Sequence, residues 1–195
     1  MSKRAQTDIP ILDIIADRWS PYGFDPKSLP LAELRSLFEA ARWAPSAYNE
    51  QPWRYLVALR QDDEAFETML SCLVEPNQAW AKDASALALG LAASAFARNG
   101  NPNGTALHDL GLASAHLTFE ATSRGLAVHQ MSGILPDRAR EVYEVPDDFQ
   151  IVTALAIGTA GPVEGPLADR DRAERSRRPL SETLFQGKFG QNLGR

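Results

Sequence analysis

The stretch "RWAPSAYNEQPWRY", residues 42–55, carries two prolines, two tryptophans, a serine and an asparagine within fourteen positions. It lies between a segment with helical spacing of apolar residues and a segment with strand-like alternation. Binding sites are often built at such corners, because loops carry function while the elements beside them stay fixed. The sequence therefore predicts a helix-to-strand corner that binds a ligand.

Apolar spacing on both sides of the corner supports this assignment. Pro30 can open the preceding helix, because its missing N–H costs nothing at the first position. Pro45 ends that helix, because the residue before a proline is pushed out of the α region. The helix has an apolar face made of Leu31, Leu34, Leu37, Phe38 and Ala41. The strand that follows alternates through Trp53, Tyr55, Val57 and Leu59.

The rest of the chain alternates between helical and strand-like segments. Helices are predicted at residues 9–16, 63–73 and 136–143, with a short helix within 75–84. A long helix is predicted from Thr105 to Arg124, with Gly125 as its C-cap. Strands are predicted at 126–130 and 151–158, whereas the alanine-rich residues 85–96 fit either a helix or a buried strand. This order indicates an α/β or α+β fold.

Length and composition predict one soluble domain. A chain of 195 residues with 44% hydrophobic and 23% charged residues suits a single well-packed globular unit. The net charge of −5 gives no indication of nucleic-acid or membrane binding, and no signal peptide or membrane span is predicted, so we expect a cytoplasmic protein. The polar residues 162–195 contribute little to a core and are expected to pack on a surface of this chain or of a partner.

The side chains do not by themselves indicate a reaction. The sequence lacks a GxGxxG loop, a P-loop lysine motif and a G-x-S-x-G elbow. Its histidines, His108, His116 and His129, lack the spacing of a zinc site, and the single cysteine, Cys72, has no histidine beside it. We therefore expect that a bound cofactor supplies the chemistry of any enzymatic reaction.

Five segments, in order, resemble the FMN-dependent nitroreductase family. Residues 42–55 resemble its pattern of a helix end, A-P-S, N-x-Q-P-W and a strand. The other four are "DRWSPY" at 17–22, "EPNQAWAKDA" at 75–84, "GLAVHQMSGI" at 125–134 and "RSRRPLSE" at 175–182. The resemblance covers roughly Ile11 to Phe189, which is nearly the whole chain. Each segment is weak evidence alone, but five in the same order are specific.

The resemblance implies FMN as cofactor and a set of residues that bind it. Arg18, Arg175 and Arg177 suit its phosphate, because guanidinium groups form bidentate hydrogen bonds with phosphate oxygens. Arg170 lies outside the motif and is expected to make no contact with the phosphate. The implied FMN-binding set is Arg18, Trp19, Ser20, Tyr22, Pro45, Ser46, Ala47, Asn49, Gln51, Asn77, Met131, Ser132, Gly133, Arg175 and Arg177.

Roles within this set follow from the same resemblance. Asn49 and Asn77 would hold polar edges of the flavin ring, and the backbone N–H groups of Ser132 and Gly133 would lie near N5 and O4. Tyr22 stands where the family often has a basic residue. Without the resemblance, Arg175 and Arg177 would be assigned to a solvated tail, and Asn49 and Asn77 to turns or caps. His129 is either a proton donor or, as part of a strand, a structural residue.

The resemblance also implies the assembly and the reaction. It predicts a single α+β domain over residues 1–195, with a mixed central sheet flanked by helices, in an intertwined homodimer. The long helix would form much of the interface, and residues 162–195 would pack on the partner chain. The implied reaction is ping-pong: NADH or NADPH reduces the flavin, which then reduces a nitroaromatic, a quinone or a similar acceptor. Flavin fragmentation, reductive dehalogenation and flavin binding with little turnover remain alternatives.

Overall fold

The computed structural model describes residues 3–194, which form seven α-helices around one four-stranded sheet. The strands are β1 (Trp53–Leu59), β2 (Ala86–Ala93), β3 (Ala127–Met131) and β4 (Phe149–Gly158). The helices are α1 (Asp13–Asp17), α2 (Leu31–Arg42), α3 (Asp63–Leu70), α4 (Glu75–Ala81), α5 (Ala106–Ser123), α6 (Pro136–Tyr143) and α7 (Pro166–Arg172).

The sheet has the order β1-β2-β4-β3, and all neighbouring strands are antiparallel. β2 and β4 are central, so β1 and β3 form the two edges. The predicted α+β class is confirmed. Within residues 3–194 the four strands form no parallel pair, so the parallel pairing of a mixed sheet would have to come from a second chain. That pairing stays a prediction.

The ambiguous residues 85–96 contain a strand rather than a helix. β2 pairs with β1 on one side and with β4 on the other, and nearly all of its residues are buried. Alanine favours helices, but pairing on both sides of a buried segment outweighs this intrinsic preference. The decisive contacts are distant in sequence, which is why local spacing left the choice open.

Two helical layers cover the opposite faces of the sheet. α2 and α5 pack on the face that carries Ala86, Ala88 and Val128. α3, α4 and α6 pack on the other face, against Leu87 and Leu89. Adjacent residues of a strand point to opposite faces, so the alternation along β2 separates the two cores.

The helix predictions are confirmed with shifts at some ends. α5 follows the predicted long helix closely, and Gly125 (φ 74°) ends it in a Schellman motif, with Leu126 N–H donating to Ala121 O at 2.9 Å. α1 begins at Asp13 instead of residue 9, since Pro10 disfavours helical geometry in the residue before it. α3 ends at Leu70 instead of residue 73, because Leu73 pairs with Ile134.

The C-terminal extension begins on its own chain. Ala168 of α7 is buried, and the Asp171 carboxylate accepts hydrogen bonds from the backbone N–H groups of Tyr22 and Gly23 at 3.0–3.2 Å. Residues 176–194 are exposed, apart from the half-buried Phe185. Only this second part of the extension is free to pack on a partner. Across residues 3–194, no helix combines the length and apolar character that a membrane crossing requires.

Candidate functional site

The corner between α2 and β1 has an unusual backbone. Three non-glycine residues, Tyr48, Asn49 and Gln51, have φ values of 53°, 57° and 52°. The left-handed region is unfavourable for residues with a Cβ atom, at a cost of about 1–3 kcal/mol each, and such residues cluster at functional sites. The exposed Tyr48 and Asn49 therefore mark the corner as a place where the fold maintains a particular shape.

Three hydrogen bonds to side-chain oxygens hold this shape. Ser46 Oγ accepts a hydrogen bond from the Gln51 N–H at 2.9 Å, which closes the corner on itself. The buried Asp109 of α5 accepts one from the Ala47 N–H at 3.2 Å. Glu50 Oε1 accepts one from the Ala97 N–H at 2.7 Å. The corner is thus fixed to α5 and to the loop after β2.

A second group of predicted residues surrounds a cavity of about 220 Å³. Arg18 donates to Ser20 Oγ at 3.2 Å, and Arg175 donates to the carbonyls of Lys3 and Ala16 at 2.6 and 2.7 Å. The predicted residues on this wall are Arg18, Trp19, Ser20, Tyr22, Arg175 and Arg177. The structure brings together residues from the N-terminal segment and the C-terminal extension, as the resemblance implies.

The electrostatics of this cavity favour an anion. Burial lowers the pKa of the Arg18 guanidinium, and the neighbouring charges of Arg175 and Arg177 lower it further. Burial and Arg177 also lower the pKa of Arg175, against a smaller opposite effect of Asp17. Within residues 3–194, none of the three arginines forms an ion pair with a carboxylate. Three like charges held together, with no carboxylate of the described chain ion-paired to them, favour the binding of a phosphate or a similar anion.

Tyr22 connects the arginine cluster to the sheet. Its ring makes edge contacts with Trp80 of α4 and His129 of β3, with centroids 5.3 and 4.8 Å apart. His129 Nδ1 donates to the Pro21 carbonyl at 2.8 Å, which fixes the segment that carries Arg18. Burial lowers the pKa of His129, so the neutral imidazole is favoured. This geometry indicates a structural role for His129 and leaves proton donation without support.

Asn77, Met131, Ser132 and Gly133 lie next to this aromatic group. The Asn77 amide Nδ2 donates to the Gly133 carbonyl at 3.0 Å, and the Val74 N–H donates to the same oxygen at 3.1 Å. A Cβ atom at position 133 would collide with Asn77 and would lie 2.8 Å from Val74 Cγ2. Only glycine allows α4 and the turn after β3 to approach this closely.

The two groups of predicted residues are separated within one chain. The corner precedes the edge strand β1 and is held by α5, whereas Met131 ends the opposite edge strand, β3. Three inter-strand steps, about 14 Å, lie between the edges. Asn77, on α4, also lies in the helical layer opposite to α5. In one chain, the corner and the turn after β3 therefore lie at opposite edges of the sheet.

Four residues of this region were not singled out from the sequence. Asp109 occupies the apolar stripe of α5 between Ala106 and Ala113, and a carboxylate in such a position is a detectable signal. The sequence has no comparable pattern at Trp80, Arg170 and Asp171, because their contacts depend on how α4 and α7 pack. Arg170, which was expected to have little effect on flavin binding because it lies outside the motif, lines the same cavity as Arg18.

A family model and one sequence relative match the chain. The model is the Nitroreductase family, and it matches residues 15–159. The relative is an uncharacterised 15.4 kDa protein in the ask 5′ region of Mycolicibacterium smegmatis. It is 35% identical over 137 residues, which cover 67% of this chain and 88% of the relative.

Solved structures have the same fold. A crystal structure of an oxidoreductase containing FMN is 34% identical, covers 98% of this chain and 99% of its own, and superposes with a TM-score of 0.91. A nitroreductase family protein from Clostridium difficile is 21% identical, with coverages of 93% and 100% and a TM-score of 0.72. One from Streptococcus pneumoniae is 18% identical, with coverages of 89% and 98% and a TM-score of 0.68. The last two support the fold alone.

Proposed function

The chain belongs to the nitroreductase family, and from this premise we propose that it is an FMN-dependent oxidoreductase. It takes hydride from NADH or NADPH and delivers reducing equivalents to a nitroaromatic, a quinone or a similar conjugated acceptor in a ping-pong reaction. FMN supplies the redox chemistry when bound, so the chain needs to provide binding, orientation and exclusion of water. The arginine cluster carries this proposal.

The cluster has the chemistry that a flavin phosphate requires. Arg18 and Arg175 are partly buried and Arg177 is exposed, and none of them forms an ion pair within the described residues. Burial and, to a smaller extent, repulsion by Arg175 and Arg177 lower the pKa of Arg18, and a phosphate dianion would relieve this repulsion. The hydroxyl of Ser20, 3.2 Å from Arg18, can add a neutral hydrogen bond. The donor set therefore fits the phosphate of FMN.

The turn after β3 suits the polar edge of a flat ring. The Gly133 carbonyl already accepts hydrogen bonds from Asn77 and Val74, which fixes the orientation of the neighbouring peptide groups. In the proposed complex, the N–H groups of Ser132 and Gly133 donate to the ring near N5 and O4. Preorganised donors of this kind stabilise negative charge as it develops. The chain provides this stabilisation without a catalytic side chain.

A homodimer completes the proposed site. In its own chain the corner lies at the opposite edge of the sheet from the turn after β3, so we assign it to the flavin bound mainly by the partner. The side of α5 that faces away from the sheet supports association between chains. Leu107 is 49% exposed, and nothing lies within 4 Å of a Cβ atom added at Gly111. A helix that is apolar on both sides is normally covered on both sides. The exposed residues 176–194 are proposed to pack on the partner.

Three measurements test the function and the assembly. Heat should release about one FMN per chain, identified by chromatography, and light scattering should give about twice the 21.4 kDa chain mass. Anaerobic NADH or NADPH should bleach the flavin, and adding an acceptor should restore its absorbance. Release of FAD, or absence of flavin after growth with riboflavin, would contradict the cofactor assignment. FMN that neither nucleotide reduces would indicate a flavin-binding protein instead.

A further inference from the structure

We propose that Arg170 is a fourth anion-binding residue, held in place by Tyr22, and that it contacts the phosphate monoester of the bound cofactor. This inference rests on the proposed function, because it assigns a further ligand to the same site. The family motif does not include Arg170. Its place in the site follows from the packing of α7 against residues 22–23.

Arg170 lies on the same cavity as the other arginines and is directed by an aromatic side chain. Its Nη1 donates to the Tyr22 hydroxyl at 3.3 Å, and its guanidinium carbon lies 5.7 Å from the centre of the Tyr22 ring. The cavity carries five basic side chains, those of Lys3, Arg18, Arg170, Arg175 and Arg177, against the carboxylates of Asp171 and Glu174. The balance of charge in the cavity therefore favours an anion.

The two acidic residues beside Arg170 in the sequence, Asp169 and Asp171, do not neutralise it. The Asp171 carboxylate is occupied by the backbone N–H groups of Tyr22 and Gly23, and Arg170 forms no ion pair within residues 3–194. Arg172, two residues later, shows the opposite arrangement, since it pairs with Asp169 at 2.6 Å. Of these two neighbours on one short helix, only Arg170 keeps its charge free for a ligand.

The position of Arg170 is fixed on both sides. Asp171 ties α7 to the backbone of residue 22, and Lys3 Nζ donates to the carbonyls of Arg170 and Ala173 at 3.5 and 2.7 Å. The Tyr22 ring packs in edge contacts against both Trp80 and His129. The phenol hydroxyl and the guanidinium group consequently form one wall of the cavity. Tyr22 is thus a positioning residue, and Arg170 is the charged one.

The test compares FMN with riboflavin, which lacks the phosphate. The full-length chain, stripped of flavin, is titrated with each while flavin fluorescence is followed. Arg170→Ala should weaken FMN binding roughly tenfold, the lower end for a hydrogen bond to a charged group, and leave riboflavin affinity unchanged. Arg172→Ala is the matched control and should change neither affinity. An unchanged riboflavin affinity also shows that the variant site is folded.

A second variant tests the role of Tyr22. Tyr22→Phe keeps the ring contacts and removes only the hydroxyl, so it should weaken FMN binding by less than Arg170→Ala does. The double variant should lose less binding free energy for FMN than the two single variants lose together, because both substitutions act through one contact. Fully additive losses would overturn the positioning role of Tyr22.

The outcomes separate this inference from the proposed function. If the unmodified chain binds no FMN, both fail. If it binds FMN and Arg18→Ala weakens that binding while Arg170→Ala behaves like Arg172→Ala, the proposed function stands and the role of Arg170 is refuted. Equal loss of FMN and riboflavin in Arg170→Ala would also refute it, because the effect would then not depend on the phosphate.

Discussion

Asp109, in the first turn of α5, accepts a hydrogen bond from the backbone N–H of Ala47 at 3.2 Å. The same carboxylate oxygen lies 3.3 Å from the Thr105 hydroxyl, which donates to it. The Asp109 side chain is almost completely buried, at 2% exposure of the residue. It thus connects the start of the long helix to the corner in which Tyr48 and Asn49 adopt left-handed backbone angles.

Removing this carboxylate should destabilise the protein. Asp109→Ala leaves the Ala47 N–H without its acceptor, so we expect a loss of about 1–3 kcal/mol in the free energy of unfolding, measured with urea. Asp109→Asn retains an amide oxygen as acceptor and should lose less. Asp63→Ala, which removes an exposed acid from the first turn of α3, is the control. Equal losses in Asp109→Ala and Asp63→Ala would show that the contact does not hold the corner.

The arginines of the predicted motif should discriminate between flavins. Arg18→Ala and Arg177→Ala each remove a proposed phosphate ligand, which should weaken FMN binding by roughly 10- to 100-fold. Riboflavin affinity should stay nearly unchanged, since riboflavin has no phosphate. Fluorescence titration measures both affinities, and Arg172→Ala is the control. A parallel loss of both flavins would mean that these arginines support the fold rather than the phosphate.

Gly133 should not tolerate even one added methyl group. The Cβ of Gly133→Ala meets Asn77 and lies 2.8 Å from Val74 Cγ2, so α4 or the turn after β3 must move. Overpacking of this kind typically costs about 1–3 kcal/mol of stability, and it should also weaken flavin binding. Urea denaturation and flavin titration measure the two effects. Gly104→Ala, where nothing lies within 4 Å of the added atom, should be neutral.

His129 should make stability depend on pH in a defined direction. Burial lowers its pKa below the ordinary 6.5, and Arg18 adds to this, whereas the Pro21 carbonyl and Asp171 oppose it. The unfolded chain then binds a proton more readily than the folded chain. The contribution of the neutral imidazole is fully present above the ordinary pKa and is lost as the pH falls below it.

Urea unfolding at about pH 8 and about pH 5.5 measures this dependence. His129→Asn, whose amide can donate to the Pro21 carbonyl, should lose less stability than the original chain at the lower pH. The same substitution at the exposed His108 of α5 is the control. An identical pH dependence in His129→Asn and the original chain would contradict the prediction.

A stabilising substitution is available away from the site. Glu144 caps α6 with a φ of 50°, and its N–H donates to the Arg140 carbonyl. Glycine adopts this left-handed conformation without strain, so Glu144→Gly should raise the free energy of unfolding by about 0.5–1 kcal/mol. Glu141→Gly, one turn earlier inside the same helix, should lower it by about 1 kcal/mol. Thermal unfolding distinguishes the two, and a destabilised Glu144→Gly would refute the strain argument.

Local patterns in the sequence were sufficient to predict most of the helices and strands. α2, β1 and α5 follow from the spacing of their apolar residues, because each buries one continuous stripe or face. β2 could not be assigned this way, since its strand geometry depends on pairing with β1 and β4, which lie far away in sequence. The boundaries of α1 and α3 depend on Pro10 and on a bridge at Leu73, and only the proline is visible in the sequence.

The candidate site was predictable only as far as the resemblance extends. The motif placed Arg18, Arg175 and Arg177 at one phosphate, and the structure places them on one cavity. The left-handed backbone of the corner could not be predicted from the sequence. Such backbone angles are expected at glycine, whereas here they occur at Tyr48 and Gln51. Arg170 was missed because its proximity to Tyr22 depends on the docking of α7, which no local pattern reports.

The proposed division of the flavin site between two chains couples two equilibria. In the proposed dimer, a single subunit can present the phosphate half of a site, but the other half arrives only with the partner. A ligand that binds the complete site better than the half site must therefore strengthen the association of subunits, by the same factor by which association strengthens its binding. Cells short of flavin would then contain more free subunits, each with the apolar outer side of α5 uncovered. Supply of the cofactor would thereby control how much of the protein is assembled.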